Sequence, residues 1–404
     1  NIILYHEDNN AQTATFSVDG TGDLSIVPSG GDTNFTGAIT TDSYFLSSNS
    51  YVYNVGKAGQ PYSTITAAIT ATGTPTSTQH AIILVDPGTY DQTTETFPLT
   101  LPLYTDLVGR SDGELTTVIN SNTNTSMIIV PDSSESVLKN LEINHNLTTT
   151  GQLTINCGSS IFHVVNCTIN AVYTAVSSGN IGIVSKTSTG QSIHITESDL
   201  SINVQTSTPG SGIFIWGIRS NADDFMLKDT KFEINVANSS LQTDYATAIM
   251  LYALNESHIK DNIFVSNVNY MAWDISTLDY SIGTSGNYYV DNNQCRMYGA
   301  NNTLSGFCYI GDSSQNNVVF SQNNCNVTGA NTTNHGLYTA GTMAGTGNIK
   351  ASNNSYNITG AGTNITTYIL NNAPVISTYS DEGESEGIWT ITTANNNSST
   401  NSLM

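Results

Sequence analysis

The sequence predicts an all-β fold: a right-handed parallel β-helix (a solenoid) behind a short amino-terminal β-hairpin or shaft segment. Three observations predict it. First, eight short segments recur in order: LKNLEINHN (138–146), VVNCTINAV (164–172), TESDLSINV (196–204), KDTKFEINV (228–236), KDNIFVSNV (260–268), NNQCRMYGA (292–300), QNNCNVTGA (322–330) and NNSYNITGA (353–361). Each joins a polar turn to a two-residue alternation that reaches an aliphatic residue, at Ile143, Ile169, Ile202, Ile234, Val265, Met297, Val327 and Ile358. Second, the steps between those positions are 26, 33, 32, 31, 32, 30 and 31 residues. That period is too long for one strand, and no helical pattern fills it. Third, the 404 residues include 47 Asn and 102 Ser plus Thr, which suit turns and stacked polar ladders better than helix interiors.

Each coil reads as strand, turn, strand, turn, strand. A second apolar run precedes most of the Asn turns (162–165, 193–195, 225–227, 318–320). A third, with Gly or Ala, lies earlier (212–218, 246–252, 306–310, 336–338). Alternate residues then face a narrow core, with equivalent positions stacked about 4.8 Å apart. One coil cannot bury its own inner face, but its neighbours can. Asn at the bend is explained by its tolerance of left-handed backbone and by amide ladders between coils.

Upstream coils are less regular. Runs at 81–85, 99–101, 107–109, 117–119 and 127–130 are short buried-strand candidates, separated by turn signals such as Asp86-Pro87-Gly88. The β-helix is placed at 57–372. Residues 1–56 form a separate segment, in which 14–18 and 24–26 flank a Gly-rich turn and read as a hairpin. Short strands continue at 35–39 and 44–46. Residues 373–404 carry an acidic patch (Asp381, Glu382, Glu384, Glu386), a strand-like run at 388–392 and a polar end, which together read as a cap strand and tail.

Charged residues make up 10% of the chain, with ten Lys plus Arg against 32 Asp plus Glu and a net charge of -22. Phosphate binding needs cationic surface, so nucleic acid and anionic membranes are not expected partners. Neutral glycans and cations are compatible. No apolar run approaches the roughly 20 residues of a membrane span. The five cysteines are odd in number and contain no CxxC, which argues against a disulfide framework or a zinc site. Cys167, Cys295 and Cys325 fall at or beside one repeat position and read as stacked core thiols.

The stretch GQPYSTITAAI (59–69), followed by IILVDPGTY (82–90) and Leu107-Val108-Gly109, resembles the opening of pectin-lyase-like β-helices, including pectin methylesterases. The resemblance implies a short capping helix, a first strand with a Pro-Gly-x-Tyr turn, and the fold. It does not carry the activity. The esterases' paired Asp, Gln and Arg are not found; Asn221-Ala222-Asp223-Asp224-Phe225 is a faint echo of one motif. The polygalacturonase pattern is matched no further than Asn334-His335-Gly336. Within 1–56, Asp19-Gly20-Thr21-Gly22-Asp23-Leu24 and the run from Asn34 to Asp42 resemble the shaft or attachment segments of tail fibres, tailspikes and other virion surface proteins. That resemblance implies a homotrimer at a virion or extracellular surface, beside other virion or cell-surface proteins.

Carboxylates one coil apart are easily paired on such a fold, and glycosidic hydrolysis needs a pair. The catalytic candidates are Asp223 and Asp224 beside Arg219, and Asp199 with Asp229, which the repeat places one coil apart. The competing reading makes them corner residues, since Asp favours turns. Aromatic residues concentrate in 216–289: Trp216, Tyr245, Tyr252, Tyr270, Trp273, Tyr280, Tyr288 and Tyr289. Of these, Trp216, Tyr245, Tyr252, Trp273 and Tyr280 are the glycan-binding candidates; stacking inside the fold or at a trimer interface is the competing reading and explains them better. His145, His163, His194 and His258 each neighbour the repeated turn, without metal-ligand spacing. No cofactor or metal is expected; calcium would suit the Asp19 and Asp23 turn, which otherwise is a hairpin turn. The favoured function is a structural or adhesive virion surface protein that attaches to host glycans. The alternatives are a secreted polysaccharide hydrolase, lyase or esterase, and a bacterial adhesin.

Overall fold

The computed structural model describes residues 51–56, 59–110, 116–158, 161–174, 179–186, 190–205, 213–236, 243–251, 255–268, 272–277, 286–299, 305–310, 317–329, 333–339, 348–360, 363–371, 376–380 and 390–393, together with the strands Ile2–His6, Asn9–Val18, Leu24–Pro28, Ile39–Thr40 and Phe45–Leu46. The chain divides into two units, Asn1–Tyr51 and Val52–Met404.

In the first unit, Asn9–Val18 pairs antiparallel with Ile2–His6 on one side and Leu24–Pro28 on the other. Val18 pairs with Leu24 and Ala14 with Pro28, so the expected hairpin forms. Its turn, with Asp19 and Asp23, lies outside the described residues. Ile39–Thr40 and Phe45–Leu46 pair antiparallel.

The second unit is a right-handed parallel β-helix. Its three sheets hold 12, 10 and 11 strands among the described residues, called here sheets 1, 2 and 3. One coil runs through Glu135–Lys139 in sheet 1, Leu141–Leu147 in sheet 2 and Leu153–Cys157 in sheet 3. It re-enters sheet 1 at Ile161–Val165, which pairs parallel with Glu135–Lys139. Beyond residue 372, Ile376–Ser380 pairs onto sheet 1 and Thr390–Thr393 onto sheet 3. Among the described residues there is one helix, α1 (Ile65–Ala71). The Thr64 side chain accepts from the Ala67 amide at 3.1 Å, and the Glu95 carboxylate accepts from the Ile65 and Thr66 amides at 2.8 Å each. The first-turn amides are thereby satisfied, and Ile65 and Ala68 are fully buried.

The bend between sheets 1 and 2 explains the repeat. Its first residue is left-handed in every coil from 140 to 353: Asn140, Asn166, Glu197, Asp229, Asp261, Asn292, Gln322 and Asn353 have φ between 51 and 59°. Asn and Asp tolerate that conformation best among residues with a Cβ. The next residue points inward. Asn262, Asn293, Asn323 and Asn354 are each 1% exposed and stack as a ladder. Asn262 Nδ2 donates to Leu227 O (2.9 Å) and to Asn293 Oδ1 (3.0 Å). Asn293 and Asn323 repeat both bonds one coil on. The ladder continues backwards with smaller residues: the Thr230 amide donates to Asn262 Oδ1 at 3.0 Å, and the Cys167 amide to Ser198 Oγ at 3.1 Å. Buried amides bonded on both sides avoid the cost of unpaired polar groups.

Inside, apolar columns run coil to coil. Ile143 pairs with Ile169, then Leu200, Phe232, Phe264, Cys295 and Cys325. This corrects the register drawn from the repeat. Ile202, Ile234, Met297, Val327 and Ile358 do share a column, but Ser266, not Val265, completes it. Ile143 and Ile169 stand two residues earlier, in the next column. A two-residue slip leaves every side chain on the same face, so alternation alone cannot detect it. Cys295 and Cys325 stack as expected, whereas Cys167 sits at the corner. All five cysteines are buried. Burial pushes the Cys167 and Cys308 thiols up to about 12, which leaves them protonated and unreactive at neutral pH.

Candidate functional site

The outward face of sheet 1 collects rings and carboxylates in two adjacent columns. In one, His163, His194, Met226, His258 and Tyr289 are successive partners on neighbouring strands. In the other, Ser192, Asp224, Glu256 and Asn287 follow in the same way. Period-two alternation puts both columns on the side opposite the core residues Ile193, Phe225 and Tyr288.

The columns are bonded to each other. His194 Nε2 lies 2.9 Å from Asp224 Oδ2, and His258 Nε2 2.9 Å from Glu256 Oε1. His163 meets His194 edge to face at 4.9 Å between ring centres, and His258 stacks on Tyr289 at 4.7 Å and 9°. Burial, and then the neighbouring His194, hold His163 below the usual imidazole range. At the upstream end, burial raises the Asp106 carboxyl from 3.8 to about 6, although the Val137 amide donates to it at 2.9 Å. Below the rings, Lys228 contacts Asp229 at 3.3 Å and Lys260 contacts Asp291 at 3.8 Å. The face therefore offers flat rings, carboxylate acceptors and imidazole ring nitrogens in hydrogen-bond contact with them. Among the described residues no group of three or more His, Cys, Asp or Glu is placed to hold a metal ion.

The five acid–base candidates named from sequence do not converge. Arg219 lies on sheet 3, with its guanidinium 4.8 Å from the Trp216 ring centre. Asp223 sits at the bend into sheet 1, where its amide donates to Gln191 O at 2.9 Å. Asp224 belongs to the stripe. Asp229 is the left-handed corner residue, equivalent to Glu197 and Asp261. Asp199 stands exposed on sheet 2, where its partner is Lys231. Asp199 and Asp229 are thus not equivalent places one coil apart: alternation aligned them, but two residues separate corner from strand.

Of the aromatic candidates, Trp216 is half-buried on sheet 3. Trp273 shares its register column through Thr247, and Tyr245 is the partner of Phe214; the side chains of Trp273 and Tyr245 lie outside the described ones. Tyr252 and Tyr280 lie outside the described residues. Tyr288 is core, and Tyr289 faces out. His145 is fully buried, its ring nitrogens 3.3 Å from Thr154 Oγ1 and 3.1 Å from Thr123 O. Sequence reasoning passed over the stripe. Its one signal was spacing: His163 to His194 and Asp224 to Glu256 are each about one coil apart.

A family model described as Protein of unknown function (DUF1565) matches residues 49–297. No curated protein matches the chain. Among solved structures it is similar to a pectin methylesterase from Aspergillus niger, at 13% identity over 86% of this chain and 92% of that one, with a TM-score of 0.34. It is similar to ORF18 of Geobacillus virus E2, at 12% identity over 96% and 69%, with a TM-score of 0.30. The A-module of the mannuronan C-5 epimerase AlgE6 from Azotobacter vinelandii aligns at 11% identity over 81% and 94%, with a TM-score of 0.24.

Proposed function

The chain belongs to the DUF1565 family, and we propose that it is an attachment module of a virion or other extracellular surface, holding a neutral, hydroxyl-rich glycan along sheet 1. The observation that carries this reading is the ring column flanked by Asp224 and Glu256. Ring faces pack against the C–H faces of sugars, and carboxylates accept their hydroxyls. Repetition coil after coil suits a polymer better than a single small molecule. The net charge of -22 favours a neutral glycan over an anionic one. The fibre-like amino-terminal segment supports the surface placement. Calorimetric titration of the full chain with a panel of neutral polysaccharides tests the reading. Binding by the native protein, at least tenfold weaker in Tyr289→Ala and His194→Ala with unchanged melting, is the expected result. Absence of binding across the panel, or equal binding by the variants, overturns it.

One observation favours a second reading, a polysaccharide hydrolase. Asp224 and Glu256 are direct partners on adjacent strands, each hydrogen-bonded to an imidazole. Strand spacing of about 4.8 Å brings such carboxylates near the roughly 5–5.5 Å separation of retaining glycosidases. New reducing ends from the same panel, abolished in Glu256→Gln, would establish it. An unchanged polymer after prolonged incubation removes it.

A further inference from the structure

The outward face of sheet 2 changes character midway. Upstream it carries self-satisfied amides: Asn144 Nδ2 donates to Asn120 Oδ1 at 3.0 Å, and Asn170 Nδ2 to Asn144 Oδ1 at 2.8 Å. At the strands Ile263–Val268 and Gln294–Gly299 it instead exposes Ile263 (39%) and Tyr298 (48%), with Val265 and Arg296 between them. Isolated apolar side chains on a surface need no explanation, but an aromatic, an aliphatic pair and an Arg together have the composition of an interface centre. None of the ion pairs among the described residues includes Arg296.

Register supplies the second observation. Glu233, Val265 and Arg296 form one column, flanked by Lys231, Ile263 and Gln294 on one side and by Asn235, Asn267 and Tyr298 on the other. The column itself is antisymmetric about the strand Ile263–Val268: Glu233, held by Lys231 at 2.9 Å in its own strand, stands one coil before it, and Arg296 one coil after. We infer that this face binds a second copy of the same chain, sheet 2 against sheet 2, about a twofold axis lying along Ile263–Val268, with the two solenoids antiparallel.

That rotation brings Ile263 and Val265 against their own counterparts and Glu233 against the partner's Arg296, twice. Asn235 meets the partner's Tyr298. One coil further out, Asp199, Ser201 and Asn203 meet the partner's Asn324, Asn326 and Thr328, which adds hydrogen-bonding groups and no like charges. A twofold axis along the solenoid would instead set Glu233 on Glu233 and Arg296 on Arg296, and like-charge juxtaposition disfavours it. Seven consecutive strands of this sheet, from Thr168–Tyr173 to Ser355–Gly360, are six residues long and centred on Ile263–Val268. At about 4.8 Å per strand and about 3.3 Å per residue they present roughly 650 Å² per partner. That is at the small end of specific interfaces and suits micromolar association. The inference is independent of the glycan reading, which concerns sheet 1.

Sedimentation velocity of the full chain from nanomolar to high micromolar concentration is the test. The expected result is a monomer–dimer equilibrium, at least tenfold weaker in Arg296→Glu, in Glu233→Arg and in the uncharged variant Ile263→Asn. An equimolar mixture of Arg296→Glu and Glu233→Arg restores both cross-pairs and dimerises again. A chain that stays monomeric throughout, a trimer unaffected by Arg296→Glu, or a mixture that stays monomeric while Ile263→Asn dimerises normally would overturn it.

Discussion

Asn293 shows how much a single corner residue does in this fold. Its side chain donates to Ile259 O and to Asn323 Oδ1 and accepts from the amide and Nδ2 of Asn262, all within 3.0 Å and at 1% exposure. Asn293→Ala strands several buried groups at once, so a loss of about 3 kcal/mol is expected in denaturant unfolding. Two corners carry residues poorly suited to left-handed backbone, Glu197 (φ 53°) and Gln322 (φ 56°). Glu197→Asn relieves that conflict and is expected to stabilise by about 0.5–1 kcal/mol in the same measurement. Asp106 gives a pH signature. Burial raises it from 3.8 to about 6, so the folded chain holds this proton more tightly than the unfolded one. Its contribution is complete below the unfolded value and is lost as pH rises through about 6. Asp106→Asn removes the ionisation while keeping an acceptor for the Val137 amide. It is expected to gain roughly 1–2 kcal/mol at mildly alkaline pH and nothing in acid. His145 has the opposite sign: burial lowers it below 6.5, so stability falls as pH drops through that value. His145→Gln should flatten the acid limb of the stability profile.

At the scale of the element, what was legible in the sequence follows from what repetition encodes. Left-handed corners select Asn and Asp, and inward positions alternate, so both periods show in one dimension. The coil, its three strands and α1 were readable for that reason. Register was not, because sliding by two residues preserves alternation; Ile143 and Ile169 were misaligned with Ile202 on that account, while Val265 lies one residue short of Ser266 and faces outward. The stripe on sheet 1 escaped for a different reason. His163, His194 and His258 are ordinary solvated residues until coils stack, and only stacking joins His194 to Asp224 across 30 residues. Conversely, Asp223 and Asp224 are adjacent in sequence, yet Asp223 sits at the bend while Asp224 joins the stripe, and Arg219 lies on another sheet. Stripe integrity is testable at this scale. Met226→Lys places a charge between His194 and His258 and is expected to weaken glycan binding at least tenfold while leaving melting nearly unchanged, since the position faces outward.

For the molecule, different faces of one solenoid are suited to different work. The buried ladder and apolar columns hold coils together, sheet 1 is the face proposed to hold a glycan, and sheet 2 the face proposed to pair with a second copy. Hydroxyl-radical footprinting read by mass spectrometry tests the central claim most directly, because the stripe is built from oxidisable side chains. With a neutral polysaccharide bound at saturation, His194, Met226, His258 and Tyr289 are expected to lose most of their labelling, while Tyr298 on sheet 2 keeps the labelling it has without glycan. Unchanged labelling along the stripe, or protection confined to Trp216 on sheet 3, would contradict it.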